Sequence, residues 1–350
     1  MNLASGDAED YWAGAALKDS AGEASHPQPE LPVQIIEGVE HLDAQFGVQE
    51  PQNVPTALRD ALFGRPKQIE GHSPLPLKTY AILDAAKVMG LPETLEASGL
   101  EHACLFKGKA AGELRDVAPY LVRLEESHSF TRNLFTKGPS VWHMWDRQPG
   151  IYLRSTEDFQ KTWKHFRKFI KAQDYTGRWL YLRFWEPSTF GVLSKIDRSS
   201  EPWLTRLLRA HRFIWPDVSK DGHHWFEFEM DSENLAAKGK IVIGRHALDA
   251  LDAAVREQHA AEDIRSARAY LQRSDQSLEV CENHLGSVRS WLLAHGFRQR
   301  KVLVSTMQAI AEKFPADVQP PDALLRLLSD KRKGAALRLW HVENWPGPEQ

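Results

Sequence analysis

Two carboxylates stand where chemistry could be done. Glu186 lies in Arg183-Phe184-Trp185-Glu186-Pro187-Ser188, after a run of alternating bulk. Asp84 closes the apolar run Tyr80-Ala81-Ile82-Leu83. An acid at the end of a strand in an α/β protein occupies a place where catalytic acids are found. Each also has a structural reading. Pro187 drives the residue before it into extended or turn backbone, and a carboxylate there can accept the first N–H groups of a following helix. Capping is the expectation for Glu186, with Arg183 and Pro187 fixing the same junction. The alternative, a hydrolase-like enzyme using Asp84 or Glu186, would need those acids to converge with a histidine in one pocket.

Other chemistry is sparse. The glycines of "GKAAGELR" have neither the Walker Lys-Ser/Thr pair nor the dinucleotide spacing. There is no His-Glu-x-x-His and no Gly-x-Ser-x-Gly. The 15 histidines show no ligand spacing, and the neighbours His223 and His224 would point to opposite faces of a strand. Cys104 and Cys281 build neither a disulfide framework nor a zinc site alone. No catalytic residue, metal or cofactor is expected. Lys161, Lys164, Arg167, Lys168 and Lys171 form a basic face without an intervening acid. A nucleic-acid-binding module using a basic helix over 156–172 is a second alternative. The net charge of −3 and the lack of a reader motif favour a solvated or protein-facing surface instead.

These residues need elements to hold them. Strands are expected at the run ending in Asp84, at His102–Phe106, Ala118–Leu124 and Gly150–Arg154. A helix follows from Thr156 to about Ala172, with Ser155 as N-cap and Phe159, Trp163, Phe166 and Ile170 as its apolar stripe. Gly177–Trp185 reads as a strand with bulk on both faces, hence central in a sheet and covered on both sides. Short helices over "STFGVLSKI" and "PWLTRLLRAH" precede late strands over "HRFIWPDV" and "HHWFEFEM". Helices then dominate: His246–Arg273, Gln276–Ala294 closed by Gly296, "RKVLVSTMQAIAEKF" and "PDALLRLLSD". Eight of the 12 tryptophans lie between Trp142 and Trp225, most of them expected in the core.

The fold class is therefore an α/β lobe with a mixed sheet, residues 76–232, followed by an all-α lobe, 233–350. Residues 1–75 read as a flexible extension, although Val33–Phe46 carries enough apolar residues to dock and "TALRDALFG" suits a short helix. The start lacks a basic n-region and an apolar core, and no run is long enough to span a bilayer. A cytoplasmic location is expected.

"YAILDAA", "ACLFKG", "APYLVRLE" and "GIYLRSTEDFQKTWKHFRKFIKAQDYTGRWLYLRFWEP" occur in this order. The series resembles the effector adaptor (Tap/Tec) family of bacterial type VI secretion systems, over about Lys78 to Ile196. Asp84, Leu105, Phe106, Pro119, Tyr120, Arg183, Trp185, Glu186 and Pro187 fall on its motifs, with Trp142 and Trp145 as further partner-binding candidates. Here Glu186 stands where the family pattern has Asp, and Ser188 where it has Arg. The resemblance implies a non-enzymatic protein that binds a type VI effector and helps load it onto a VgrG-type spike protein, without nucleic acid or membrane as partner.

Overall fold

The computed structural model describes residues 33–65, 76–209, 211–217, 224–229, 239–269, 278–316 and 318–346. The chain divides into two compact units at Ala254/Val255 rather than at 232/233.

The first unit is built on a seven-stranded antiparallel sheet of order β1-β9-β8-β5-β2-β4-β3. Its strands are β1 (Gln34–Ile36), β2 (Lys78–Asp84), β3 (His102–Cys104), β4 (Pro119–Leu124), β5 (Gly150–Ser155), β8 (Arg212–Pro216) and β9 (Trp225–Glu229). A three-stranded sheet, β10-β6-β7, joins β6 (Lys171–Asp174) to β7 (Trp179–Tyr181) and β10 (Val242–Ile243). The helices of this unit are α1 (Thr56–Phe63), α2 (Leu91–Ser98), α3 (Lys109–Glu113), α4 (Ser129–Phe135), α5 (Phe159–Phe166), α6 (Pro187–Leu193) and α7 (Pro202–Leu208).

Both faces of the large sheet are covered. Tyr80, Ile82, Ile151, Leu153, Phe213 and Trp215 pack against α5, α6, α7 and the small sheet. Ala81, Leu83, Tyr152, Ile214 and Trp225 pack against α1, α2 and α4. Period-two alternation sends neighbours on one strand into different cores. This explains why β2 and β5 are buried almost throughout. Gly150 is required where β5 meets β2, because a Cβ there would overlap the Ile82 carbonyl oxygen.

Three expectations change. First, the helix expected over 156–172 spans only Phe159–Phe166. Its N-cap is Asp158, whose Oδ1 accepts the Lys161 N–H at 2.8 Å, while Ser155 ends β5. Beyond Phe166 the chain turns, burying Phe169 and Ile170, and Lys171–Asp174 becomes the middle strand of the small sheet. A buried aromatic or aliphatic side chain contributes about 1.5–3 kcal/mol, against about 0.2–0.5 kcal/mol for a helical surface pair. Packing and strand pairing thus override the helical spacing. Second, the strand around Trp179–Tyr181 is the edge of the small sheet, not a central strand of the large one. Leu180 is buried, but Trp179 is 61% and Tyr181 40% exposed. Third, residues 33–65 are built into the fold. β1 pairs with β9, and Val39, Val54, Leu58 and Leu62 are buried. The expected flexible segment before Val33 and most of the linker at 71–77 lie outside the described residues.

The second unit is helical: the later turns of α8 (Arg245–Arg268), then α9 (Leu278–Ala294), α10 (Arg300–Lys313), α11 (Asp322–Ser329) and α12 (Ala335–Glu343). Leu285, Leu292, Phe297, Met307, Leu328 and Val342 share its core. Gly296, at φ +85°, ends α9 in the left-handed conformation that glycine favours. Buried Asp263 accepts from Arg289 and Arg300 Nε atoms, each at 2.8 Å.

Candidate functional site

The motif residues converge at the end of β2. Asp84 is fully buried. Its N–H donates to the Pro149 carbonyl at 2.8 Å, and the residue pairs with Pro119 across β4. Oδ1 accepts the Ala86 N–H at 2.9 Å and so caps the short 3₁₀ turn Ala85–Lys87. Oδ2 accepts Arg183 Nη2 at 2.6 Å and the Trp185 indole N–H at 3.1 Å. Arg183 Nη2 also lies 2.8 Å from Glu186 Oε1. Burial opposes the Arg183 charge, but Glu186 and Asp84 outweigh it and hold the guanidinium above its ordinary pKa.

Contrary to expectation, Glu186 does not cap α6 with its side chain. It stands at the N-cap position, and its carbonyl accepts the Phe190 N–H at 2.8 Å. The carboxylate turns to Arg183 instead, with the Thr189 hydroxyl donating at 3.4 Å. A charge-assisted bond to a guanidinium is about twice as strong as one between neutral groups, so Arg183 takes the carboxylate from the helix N-terminus. Arg183 and Pro187 do fix the junction: Pro187 begins α6, where the missing N–H costs nothing.

The other motif residues lie around this cluster or apart from it. Leu105 is fully buried, and its N–H donates to the Pro119 carbonyl at 2.9 Å. Tyr120 is buried, donates to the Arg115 carbonyl at 3.2 Å, and has its hydroxyl pKa pushed up to about 12, chiefly by burial. Trp145 packs on Trp225, whereas Trp142 is exposed. Phe106 is half-buried, its ring 5.6 Å from that of Tyr181.

Phe106 also lines a cavity of about 740 Å³. One side is the turn after α5, with Arg167, Lys168 and Phe169. Another is the small sheet, with Lys171, Trp179 and Tyr181. The end of α7 and residues 239–241 complete the wall. Asp174 positions the exposed edge strand. Its Oδ1 accepts the N–H groups of Thr176 and Arg178, each at 2.9 Å, and Oδ2 accepts Arg178 Nε at 2.9 Å. Burial would raise the Asp174 pKa, but these bonds outweigh it and hold the carboxyl down at about 2. Gly177, at φ +89°, completes the turn. His165 lines the same cavity, and buried His211 lies behind it, their rings 5.3 Å apart. Burial lowers both histidines, His211 to about 3.

Sequence reasoning missed Trp179, Tyr181, Arg206, Arg209 and Lys240 as members of a shared concavity, and Asp174 as the residue that holds its edge strand. No local pattern in the sequence marks them, because the concavity draws on five separate stretches. Of the expected basic face, Lys161 pairs with Glu157 and Asp158, while Arg167, Lys168 and Lys171 line the cavity. Among the described residues, no group of three or more His, Cys, Asp or Glu side chains could hold a metal ion, and no helix is long and apolar enough to cross a membrane.

Residues 79–202 match the model of a domain of unknown function, DUF4123. No curated protein and no solved structure matches the chain.

Proposed function

We propose that this chain is a cytoplasmic, non-enzymatic adaptor that binds a type VI secretion effector and helps load it onto a VgrG-type spike protein. The observation that carries the reading is the domain match over 79–202, which falls on the ordered motifs that resemble the Tap/Tec adaptors. The geometry of the two acids supports it. Asp84 is closed to solvent with both oxygens engaged, and Glu186 is held by Arg183. An acid so committed is poorly placed to exchange protons with a substrate. The cavity offers cations and aromatic rings, which suit recognition more than acid–base work.

Co-expression with the effector and spike encoded beside this gene tests the proposal. Retention of either on the affinity-tagged full chain is the expected result. Failure to retain both, when each is folded and soluble, would remove the adaptor reading.

A further inference from the structure

The cavity beside β7 carries a cluster of cations that the fold leaves without carboxylate partners among the described residues. Lys107, Arg167, Lys168, Lys171, Arg209 and Lys240 line it, and among the described residues none has a carboxylate within ion-pair distance. Elsewhere in this unit Arg183, Arg178, Arg115 and Lys161 each face an acid; in the groove six cations without one are gathered in a single concavity. Three cavity cations are partly occupied: Lys171 Nζ lies 5.0 Å over the Tyr181 ring, and Arg167 Nη2 donates to the Phe106 carbonyl at 3.4 Å. Arg206 donates to the carbonyls of Gly239 and Lys240, at 2.7 and 3.2 Å, and so builds the wall. Arg167 lies 4.0 Å over the Trp163 ring, and its buried Nε has no hydrogen-bond partner among the described residues. Lys107, Lys168, Lys171, Arg209 and Lys240 are exposed. Under the cations lie Leu105, Phe169 and Ile170, all buried, with Phe106 and Ile241 half-buried. Trp179 and Tyr181 stand exposed on the adjoining wall.

We infer that this groove is the docking site for an acidic segment of the partner protein that also carries aromatic or large aliphatic side chains. The inference rests on the adaptor reading and specifies the chemistry of the effector surface it requires. Clustered, unmatched cations repel one another and attract a polyanion, raising association rates and rejecting basic partners. Carboxylates of the segment would meet the lysines and Arg209. Its apolar side chains would fill the floor and stack on Trp179 and Tyr181, residue types that dominate binding energy where they are desolvated. A single-stranded nucleic acid would meet the cations with its phosphates and stack bases on the two rings, but it would leave the buried floor unfilled. Its bases present hydrogen-bonding edges that need polar partners, and the floor is hydrocarbon.

The test uses the full chain and two variants. Lys168→Glu/Arg209→Glu reverses two exposed charges, and Trp179→Ser/Tyr181→Ser removes the rings. Each is first compared with the parent by melting temperature. Fluorescence anisotropy at physiological salt then measures three labelled probes of equal length: a peptide alternating glutamate and tyrosine, one alternating glutamate and alanine, and single-stranded RNA. The glutamate–tyrosine peptide should bind most tightly. Its affinity should fall about tenfold or more in each variant without loss of stability. RNA binding more tightly than that peptide, or peptide binding unchanged by charge reversal, would overturn the inference. Effector capture separates this failure from failure of the adaptor reading. Capture by the parent chain that is lost in the charge-reversed variant supports the groove. Capture retained undiminished by that variant overturns the groove and leaves the adaptor intact. If the parent captures no effector, the adaptor reading fails, and with it the assignment of the groove to an effector segment.

Discussion

The cluster at Asp84 and the groove beside β7 lie in one unit, and both set cationic side chains beside aromatic rings. They use them in opposite ways. At Asp84 each charge is turned inward. Arg183 reaches two carboxylates, Trp185 donates to one of them, and the assembly ties positions 183–187 to the end of β2. In the groove the cations face out, and none meets an acid among the described residues. The contrast teaches that a recognisable motif and a working surface need not coincide. The motif residues hold the chain in place, and the surface so held offers the unused charge.

The largest expected effect is on the inward side. Asp84→Ala strips partners from Arg183, the Trp185 indole and the Ala86 N–H. Removing one member of a fully buried ion pair costs about 3–5 kcal/mol. Arg183 is 41% exposed and regains water, so a loss of about 2–3 kcal/mol is expected. Chemical denaturation measures it. A loss below the ordinary surface range of about 0.5 kcal/mol would break the contrast, because the cluster would then not be holding the fold.

The histidine pair tests the boundary between the two regions. The His211 pKa lies near 3 in the folded chain, chiefly through burial, against about 6.5 when unfolded. The unfolded state therefore binds more protons between those values. His211 leaves stability intact above about pH 6.5 and erodes it as pH falls toward 3, by at most about 1.4 kcal/mol per pH unit. His165, also lowered, acts in the same direction. His211→Phe should flatten the fall in melting temperature between neutral and mildly acidic pH. An unchanged slope would mean that other groups set the acid sensitivity.

Glu186 should matter less than Asp84. Glu186→Ala frees one side of Arg183 but leaves the shorter bond to Asp84, at a cost of about 0.5–1 kcal/mol. Glu186→Gln keeps an acceptor and should be milder still. A fully stable Glu186→Ala chain that no longer retains effector would place this junction in the binding surface. Smallest of all is the stability effect of Lys168→Glu/Arg209→Glu, expected within about 0.5 kcal/mol. A large loss would show that the groove cations serve the fold after all.

The inward cluster was more legible in the sequence than the groove. Asp84 closes an uninterrupted apolar strand, and Arg183–Pro187 follows a run of alternating bulk, so both ends of the cluster stood out. Their meeting did not, since Arg183 and Asp84 lie 99 positions apart. The α/β lobe and the helical region after it were legible from periodicity. The helix expected over 156–172 was drawn too long because its lysines and apolar stripe keep helical spacing past Phe166. Only the pairing of Lys171–Asp174 with two other strands reveals the change. Bulk on both sides of a strand suggests two covered faces, yet Trp179 and Tyr181 are exposed. Four aromatic or aliphatic side chains in alternation cannot say which of them face solvent. The groove draws on five separate stretches, and no local pattern in any one announces a shared concavity.

Amide hydrogen–deuterium exchange on the chain, alone and with captured effector, tests the central claim most directly. Added protection is expected at 105–107, 167–171, 179–181 and 206–209, with 84–87 and 183–188 unchanged. Protection confined to the Asp84 and Arg183 segments, with the groove unaltered, would contradict it.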